Sequence, residues 1–133
     1  MTTDKLTRNQ LSEAAFTWLK EAYTIIDSLD ESKNQNLYAQ ESEVIFGNRP
    51  VVKGRENVIS MFKNFWTTVQ GYSHSIVAVF GQDDAFAVET VVNYTRLDGS
   101  SVGIPAVTVI EVNEEKKVQS MRIFIDIAPL HQN

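Results

Sequence analysis

The feature that most constrains this chain is a change of hydrophobic period at Gly71. Before it, apolar residues recur at the helical spacing of about 3.6; after it they alternate with a period of about 2. The later half divides into long strand candidates, Tyr72–Phe80, Ala85–Arg96, Ser101–Val112 and Lys117–Ile127. Only short polar linkers separate them: Gly81-Gln82-Asp83-Asp84, Leu97-Asp98-Gly99-Ser100 and Asn113-Glu114-Glu115-Lys116. Linkers this short force consecutive strands to pair antiparallel, and Asp98-Gly99 is a strong hairpin signal. Helices first and hairpins afterwards define an α+β chain.

The helical half begins at about Thr7, where Thr7 and Gln10 have the spacing of a capping box and Ser12 is the alternative start. Leu11, Ala15, Trp18, Leu19, Ala22, Ile26 and Leu29 then form one apolar stripe. Asn36 to Ala39 suits a short helical turn, and Ser42–Gly47 a short strand ended by Gly47-Asn48-Arg49-Pro50. A second helix is expected over about Arg55–Val69, with Val58, Phe62, Phe65, Trp66 and Val69 on one face and Gly71 after its end. No interdomain linker interrupts residues 1–133, so the chain is read as one domain with its core over about 11–130.

Composition excludes several functions. The net charge is −5 and the basic residues are scattered, which argues against nucleic acid as a partner. No run reaches the roughly 18 to 20 apolar residues of a membrane span. The first residues show no signal peptide, which makes the cytoplasm the expected location. The chain has no Cys, hence no disulfide and no Cys-based zinc site. No HExxH, phosphate loop or G-x-S-x-G is present, so neither a metal nor a cofactor is expected.

Along Ala85–Arg96 one face carries Phe86, Val88, Thr90, Val92 and Tyr94, suited to lie under the helices. The other carries Ala85, Ala87, Glu89, Val91, Asn93 and Thr95, too apolar for a face left in water. A second copy of the chain is the economical cover, so a homodimer through the outer sheet face is expected, with Glu89 and Asn93 at the interface.

Four stretches resemble the SnoaL-like, ketosteroid-isomerase-like branch of the NTF2-like superfamily. They are Val52-Lys53-Gly54-Arg55-Glu56-Asn57-Val58, His74-Ser75-Ile76, the hairpin from Leu97-Asp98-Gly99 to Ile104-Pro105-Ala106, and Val118 to Leu130. The last is similar to a final strand ending "R-I-Y-x-D-x-x-P-L". The resemblance implies a cystatin-like cone, N-terminal helices on a curved antiparallel sheet around an apolar pocket. It also implies a small hydrophobic molecule as ligand and cofactor-independent isomerase, dehydratase or cyclase chemistry. The rival readings are a non-catalytic ligand-binding module and a protein-interaction adaptor. The Asp-Arg-Asp set of the epoxide-hydrolase branch is not matched, since Tyr94, Val92 and Ile123 occupy those positions.

Proton transfer in such a pocket needs a group that exchanges protons and is partly shielded from water. Asp126, after Ile123-Phe124-Ile125, is the candidate acid, at the place where the resemblance implies a carboxylate on the late strands. Strict alternation, however, groups Asp126 with Arg122 and Phe124, so it reaches the pocket only if the strand is bulged. His74 shares an expected strand face with Tyr72, Ile76 and Phe80, and an imidazole suits acid–base work near neutral pH. Tyr94, with Tyr23 as alternative, can supply a hydroxyl. Trp18, Tyr38, Phe46, Phe62, Trp66, Thr90 and Phe124 are the expected wall of the ligand site. His131, close to the C-terminus, is read as incidental.

Overall fold

The computed structural model describes residues 1–131. Three helices lie against one curved seven-stranded sheet of order β1-β4-β5-β6-β7-β2-β3. The strands are β1 (Arg8–Asn9), β2 (Tyr38–Phe46), β3 (Val52–Lys53), β4 (Val69–Gln82), β5 (Ala85–Arg96), β6 (Ser101–Val112) and β7 (Val118–Ile125). The helices are α1 (Glu13–Asp27), α2 (Glu31–Gln35) and α3 (Arg55–Trp66).

The β4–β7 meander forms as its turn residues dictate, each strand antiparallel to the next. The sheet as a whole is mixed, which corrects the all-antiparallel expectation. β2 returns from the helices to run parallel to β7, and β1 runs parallel to β4. Irregular register in β4 between Val69 and Gly71 and between Ile76 and Ala78 bends the sheet around the helices.

Residues before α1 are more ordered than their polarity implies. Thr7 donates through N–H and hydroxyl to Val77 O, and Gln10 Oε1 accepts from Gly81 N. Both capping-box candidates are thereby spent on the edge of β4, and Ser12 caps α1 by accepting from Ala15 N at 3.1 Å. α1 buries Leu19, Ala22 and Tyr23 and ends at Asp27, two residues short of the expected Leu29, whose φ of 52° is left-handed. The expected turn at Asn36–Ala39 lies earlier, as α2, where Asp30 caps Lys33 N. Tyr38 and Ala39 already belong to β2, so that strand is longer than the expected Ser42–Gly47. α3 stops at Trp66, and Val69, expected on its face, opens β4 because a buried β-branched residue pairs with Arg96 there.

The inner face of the meander carries Tyr72, His74 and Ile76 opposite Tyr94, Val92 and Thr90. Ile104, Ala106 and Thr108 continue that face onto β6, and Met121, Ile123 and Ile125 onto β7. Together with the helices this face forms a single buried core. After β7 the chain closes in a 3-10 turn, Ala128–His131. The Arg96 side chain pins it, donating to Leu130 O at 3.2 Å and Pro129 O at 2.9 Å.

Candidate functional site

Between α1, α3 and the concave face lies an apolar cavity of about 40 Å³. That space is well below the roughly 150 Å³ that accommodates a benzene ring, so a cyclic ligand must move side chains aside to enter. Phe46, Phe62, Phe65, Ile26 and Ile125 make the walls greasy, and His74 with tyrosines from four elements supplies the polar groups.

The central polar contact joins α1 to β4. Asp27 Oδ1 lies 2.6 Å from His74 Nδ1, and Asp27 Oδ2 accepts the His74 backbone N–H at 2.9 Å. The side chains are 9% and 13% exposed, respectively, so solvent competes little for the pair. The nitrogen of Met1 stands 3.1 Å from Oδ2, and Thr2 donates its N–H to His74 O, so the first residues cover this corner. A carboxylate on Nδ1 selects the tautomer with its proton on Nδ1 and the lone pair on Nε2. No described residue engages Nε2. The Tyr23 ring packs on the imidazole at 4.7 Å between centroids, and Tyr72 meets it edge-on at 5.7 Å.

Burial pushes the Tyr23, Tyr38, Tyr72 and Tyr94 hydroxyls well above the ordinary phenol range, so all are neutral donors. Trp66 Nε1 donates to the Tyr72 oxygen at 2.9 Å. The Tyr38 hydroxyl rests 3.9 Å from the Met121 sulfur. The buried Tyr23 hydroxyl completes no hydrogen bond, although Thr108 stands close enough to moderate its ionisation.

Of the residues singled out from sequence, His74, Tyr94, Tyr38, Phe46 and Phe62 line the cavity. Asp126 does not. The regular pairing Ala106↔Ile125 and Val107↔Phe124 leaves no bulge at the end of β7, so alternation turns Phe124 outward, 58% exposed. Asp126, beyond the strand, is exposed and accepts the Ala128 N–H at 3.0 Å, a strand-end cap. Trp18 lies elsewhere, donating to Lys116 O at 3.1 Å. Thr90 is buried under the sheet's centre, 1% exposed, without reaching the cavity. Trp66 is not among the lining residues, and its Nε1 donates to the oxygen of Tyr72, which is. His131 is exposed in the closing turn.

Asp27 was the residue missed. One signal pointed to it: a carboxylate in the last turn of a helix opposes the macrodipole, and such broken local rules concentrate at functional positions. Its spacing of four from Tyr23 also sets it on the helix face that Tyr23 buries.

A SnoaL-like domain model matches residues 19–121. The chain belongs to the SnoaL-like domain family. No curated protein matches it in sequence. Among solved structures, this SnoaL-like chain is similar to one assigned as a SnoaL-like polyketide cyclase from Shewanella denitrificans. The TM-score is 0.75 at 10% identity, covering 86% of this chain and 92% of that one. An NTF2-like protein of unknown function from Burkholderia pseudomallei gives 0.76 at 13%, covering 90% and 95%. TerC, co-crystallised with polyporic acid, gives 0.73 at 14%, covering 88% and 95%. At such identities the likeness establishes the fold, an NTF2-like α+β cone, and leaves the chemistry to be argued from the residues present.

Proposed function

We propose that this SnoaL-like protein is a cofactor-independent enzyme that moves a proton on a small, neutral, hydrophobic carbonyl compound. Isomerisation, dehydration and aldol-type cyclisation share that step. The observation that carries the reading is the 2.6 Å contact between Asp27 and His74 at the wall of an apolar cavity. Asp27 holds the imidazole so that Nε2 is the basic atom, and stabilises the imidazolium that forms when Nε2 takes a proton. The surroundings are dry, which strengthens that charge pairing relative to water. Among the described residues no Lys or Arg lines the cavity, which favours an uncharged substrate. A solved relative of the same fold, TerC, was co-crystallised with polyporic acid, which supports a small organic ligand here.

The protein is further proposed to act as a homodimer in the cytoplasm, its outer sheet face covered by a second copy. Val107 and Phe124, cross-strand neighbours on that face, are 39% and 58% exposed.

The test incubates the protein in D2O with a panel of neutral cyclic ketones and enones and follows exchange of the carbon-bound hydrogen beside the carbonyl by NMR. Catalysed exchange on at least one compound is expected. His74→Gln should lower it roughly 100- to 10,000-fold, the usual contribution of a general base. Exchange unaffected by His74→Gln sinks the reading, as does no exchange across the panel.

A further inference from the structure

The cavity is too small for a ring as it stands, so part of its wall must yield, and two corners bear on the question. At the His74 corner the backbone is hydrogen-bonded shut: Thr2 donates its N–H to His74 O at 2.9 Å, and Ile76 donates to Thr2 O at 3.0 Å. The corner at the end of β2 is different. A surface cleft of about 240 Å³, lined by residues 46–49 and 125–127, has Phe46 and Ile125 in common with the cavity. Those two side chains therefore form the partition between the inner space and the cleft.

Phe46 is the last residue of β2. Its backbone is held on both sides, since Gly47 N donates to Ile123 O at 2.9 Å and Arg49 N to Phe46 O at 3.2 Å. The side chain is held less firmly. Its ring packs on Phe65, with centroids 5.1 Å apart, and the Arg49 guanidinium lies over it, 5.6 Å from its centroid. Arg49 is exposed, and among the described residues no ion pair competes for it. Rotation about χ1 between staggered wells carries the Phe46 ring out of the cavity wall without moving the backbone. Ile125 is smaller, and its displacement alone frees less than the space of a ring.

We propose that Phe46 is the gate of the ligand site and Arg49 the latch that holds it closed. The ligand displaces the gate: one flat ring of a neutral compound takes the slot beside Phe65 that Phe46 leaves. The inference rests on the cavity being the ligand site, as in the reading above, and names its entrance and the side chain that sets the size admitted. In the free protein the closed state prevails, because opening gives up the Phe65 and Arg49 contacts and exposes an apolar ring. The minor state of such a two-state element is populated at about 0.1–10%, and only that fraction admits a ligand.

The test is a binding measurement independent of turnover. Prodan, a neutral naphthyl ketone whose fluorescence reports transfer from water to an apolar site, is mixed with the protein in stopped flow. Phe46→Ala removes the gate and should raise the association rate about 10-fold to 1,000-fold. Should that variant fail to fold for want of its buried ring, Arg49→Leu carries the test, since it changes an exposed residue. Arg49→Leu should raise the association rate about twofold to fivefold, the worth of an exposed cation–π contact, and leave the dissociation rate unchanged. Thr2→Pro removes the N–H that closes the His74 corner and should not change the association rate. By NMR, the ring contact between Phe46 and Phe65 in the free protein should vanish when prodan binds. Association unaltered by the Phe46 and Arg49 variants, acceleration by Thr2→Pro instead, a Phe46–Phe65 contact that persists in the complex, or no saturable prodan binding overturns the proposal. Gated prodan binding with no exchange anywhere on the ketone panel would defeat the catalytic reading and leave the gate standing.

Discussion

Asp27 Oδ1 lies 2.6 Å from His74 Nδ1 across the junction of the first helix and the fourth strand. The same carboxylate accepts the His74 backbone N–H through its other oxygen. One side chain therefore fixes both the ring and the strand that carries it. Asp27→Asn keeps the volume and removes the charge, and an amide can present its NH2 to Nδ1 and favour the wrong tautomer. Exchange measured in D2O should fall by on the order of 100-fold or more, with the far-ultraviolet dichroism unchanged. A variant as active as the parent would remove Asp27 from the mechanism.

Asp126 provides the contrast. It is exposed and occupied with the Ala128 N–H. Asp126→Asn should leave the exchange rate within about threefold, because a solvated carboxylate outside the cavity has no part in proton transfer there. Loss of most of the rate in this variant would place the proton carrier outside the cavity and contradict the site described above.

Alkaline pH should unfold this protein through its tyrosines. All four are held un-ionised far above the ordinary phenol range by burial. In the unfolded chain the same groups lose protons near about pH 10. Below that pH their contribution to stability is complete. Above it the unfolded state binds fewer protons than the folded one, so the stability falls as pH rises. Each tyrosine adds a slope of up to about 1.4 kcal/mol per pH unit. Thermal melts should show these groups silent from pH 7 to 9 and a steep drop in Tm beyond about pH 10.5. Tyr38→Phe should make that drop shallower; an identical pH profile in the variant would refute the account.

Gly81 has no tolerance for a side chain. Its φ is +128°, and a Cβ there would stand 2.6 Å from Ala85 O and 2.8 Å from Phe86 Cα. Both neighbours are backbone and belong to the hairpin that joins the fourth and fifth strands. Gly81→Ala should cost about 1–3 kcal/mol from the backbone conformation alone, and the clash adds to it. Gly99→Ala, at φ +90° with nothing within 4 Å, should cost less. Urea denaturation of the two variants ranks them, and the reverse order would contradict the geometry.

The outer face predicts assembly. Val107→Glu places a carboxylate beside Phe124 and across from Glu89, in the middle of the exposed apolar strip. If a second copy covers that strip, the charge would be buried unpaired and the dimer should dissociate. Light scattering at tens of micromolar should give about twice the 15.0 kDa chain mass for the parent and a single chain for the variant. A monomeric parent would sink the proposed dimer.

Sequence determined this protein's local structure wherever the governing signal lay within a few residues. Asp98-Gly99 fixed a hairpin, and the alternation through Ala85–Arg96 fixed which side chains share the inner face, because pairing partners are close along the chain. The same alternation held through the end of the last strand, which turned Asp126 out of the cavity. His74 was legible as a candidate because imidazole chemistry is a property of the residue and its strand face. What tertiary structure alone decided were the relationships between distant segments. Thr7 and Gln10 have the spacing of a cap, yet the unpaired edge of the fourth strand claimed them. The parallel pairing of Tyr38–Phe46 with the last strand depended on a partner some 80 positions away. The Asp27–His74 pair spans 47 positions, and no local pattern announces which acid a histidine will meet. Helix packing on a curved sheet brought them together, because burying the Tyr23 face of the first helix carries Asp27, four residues on, to the strand where His74 stands.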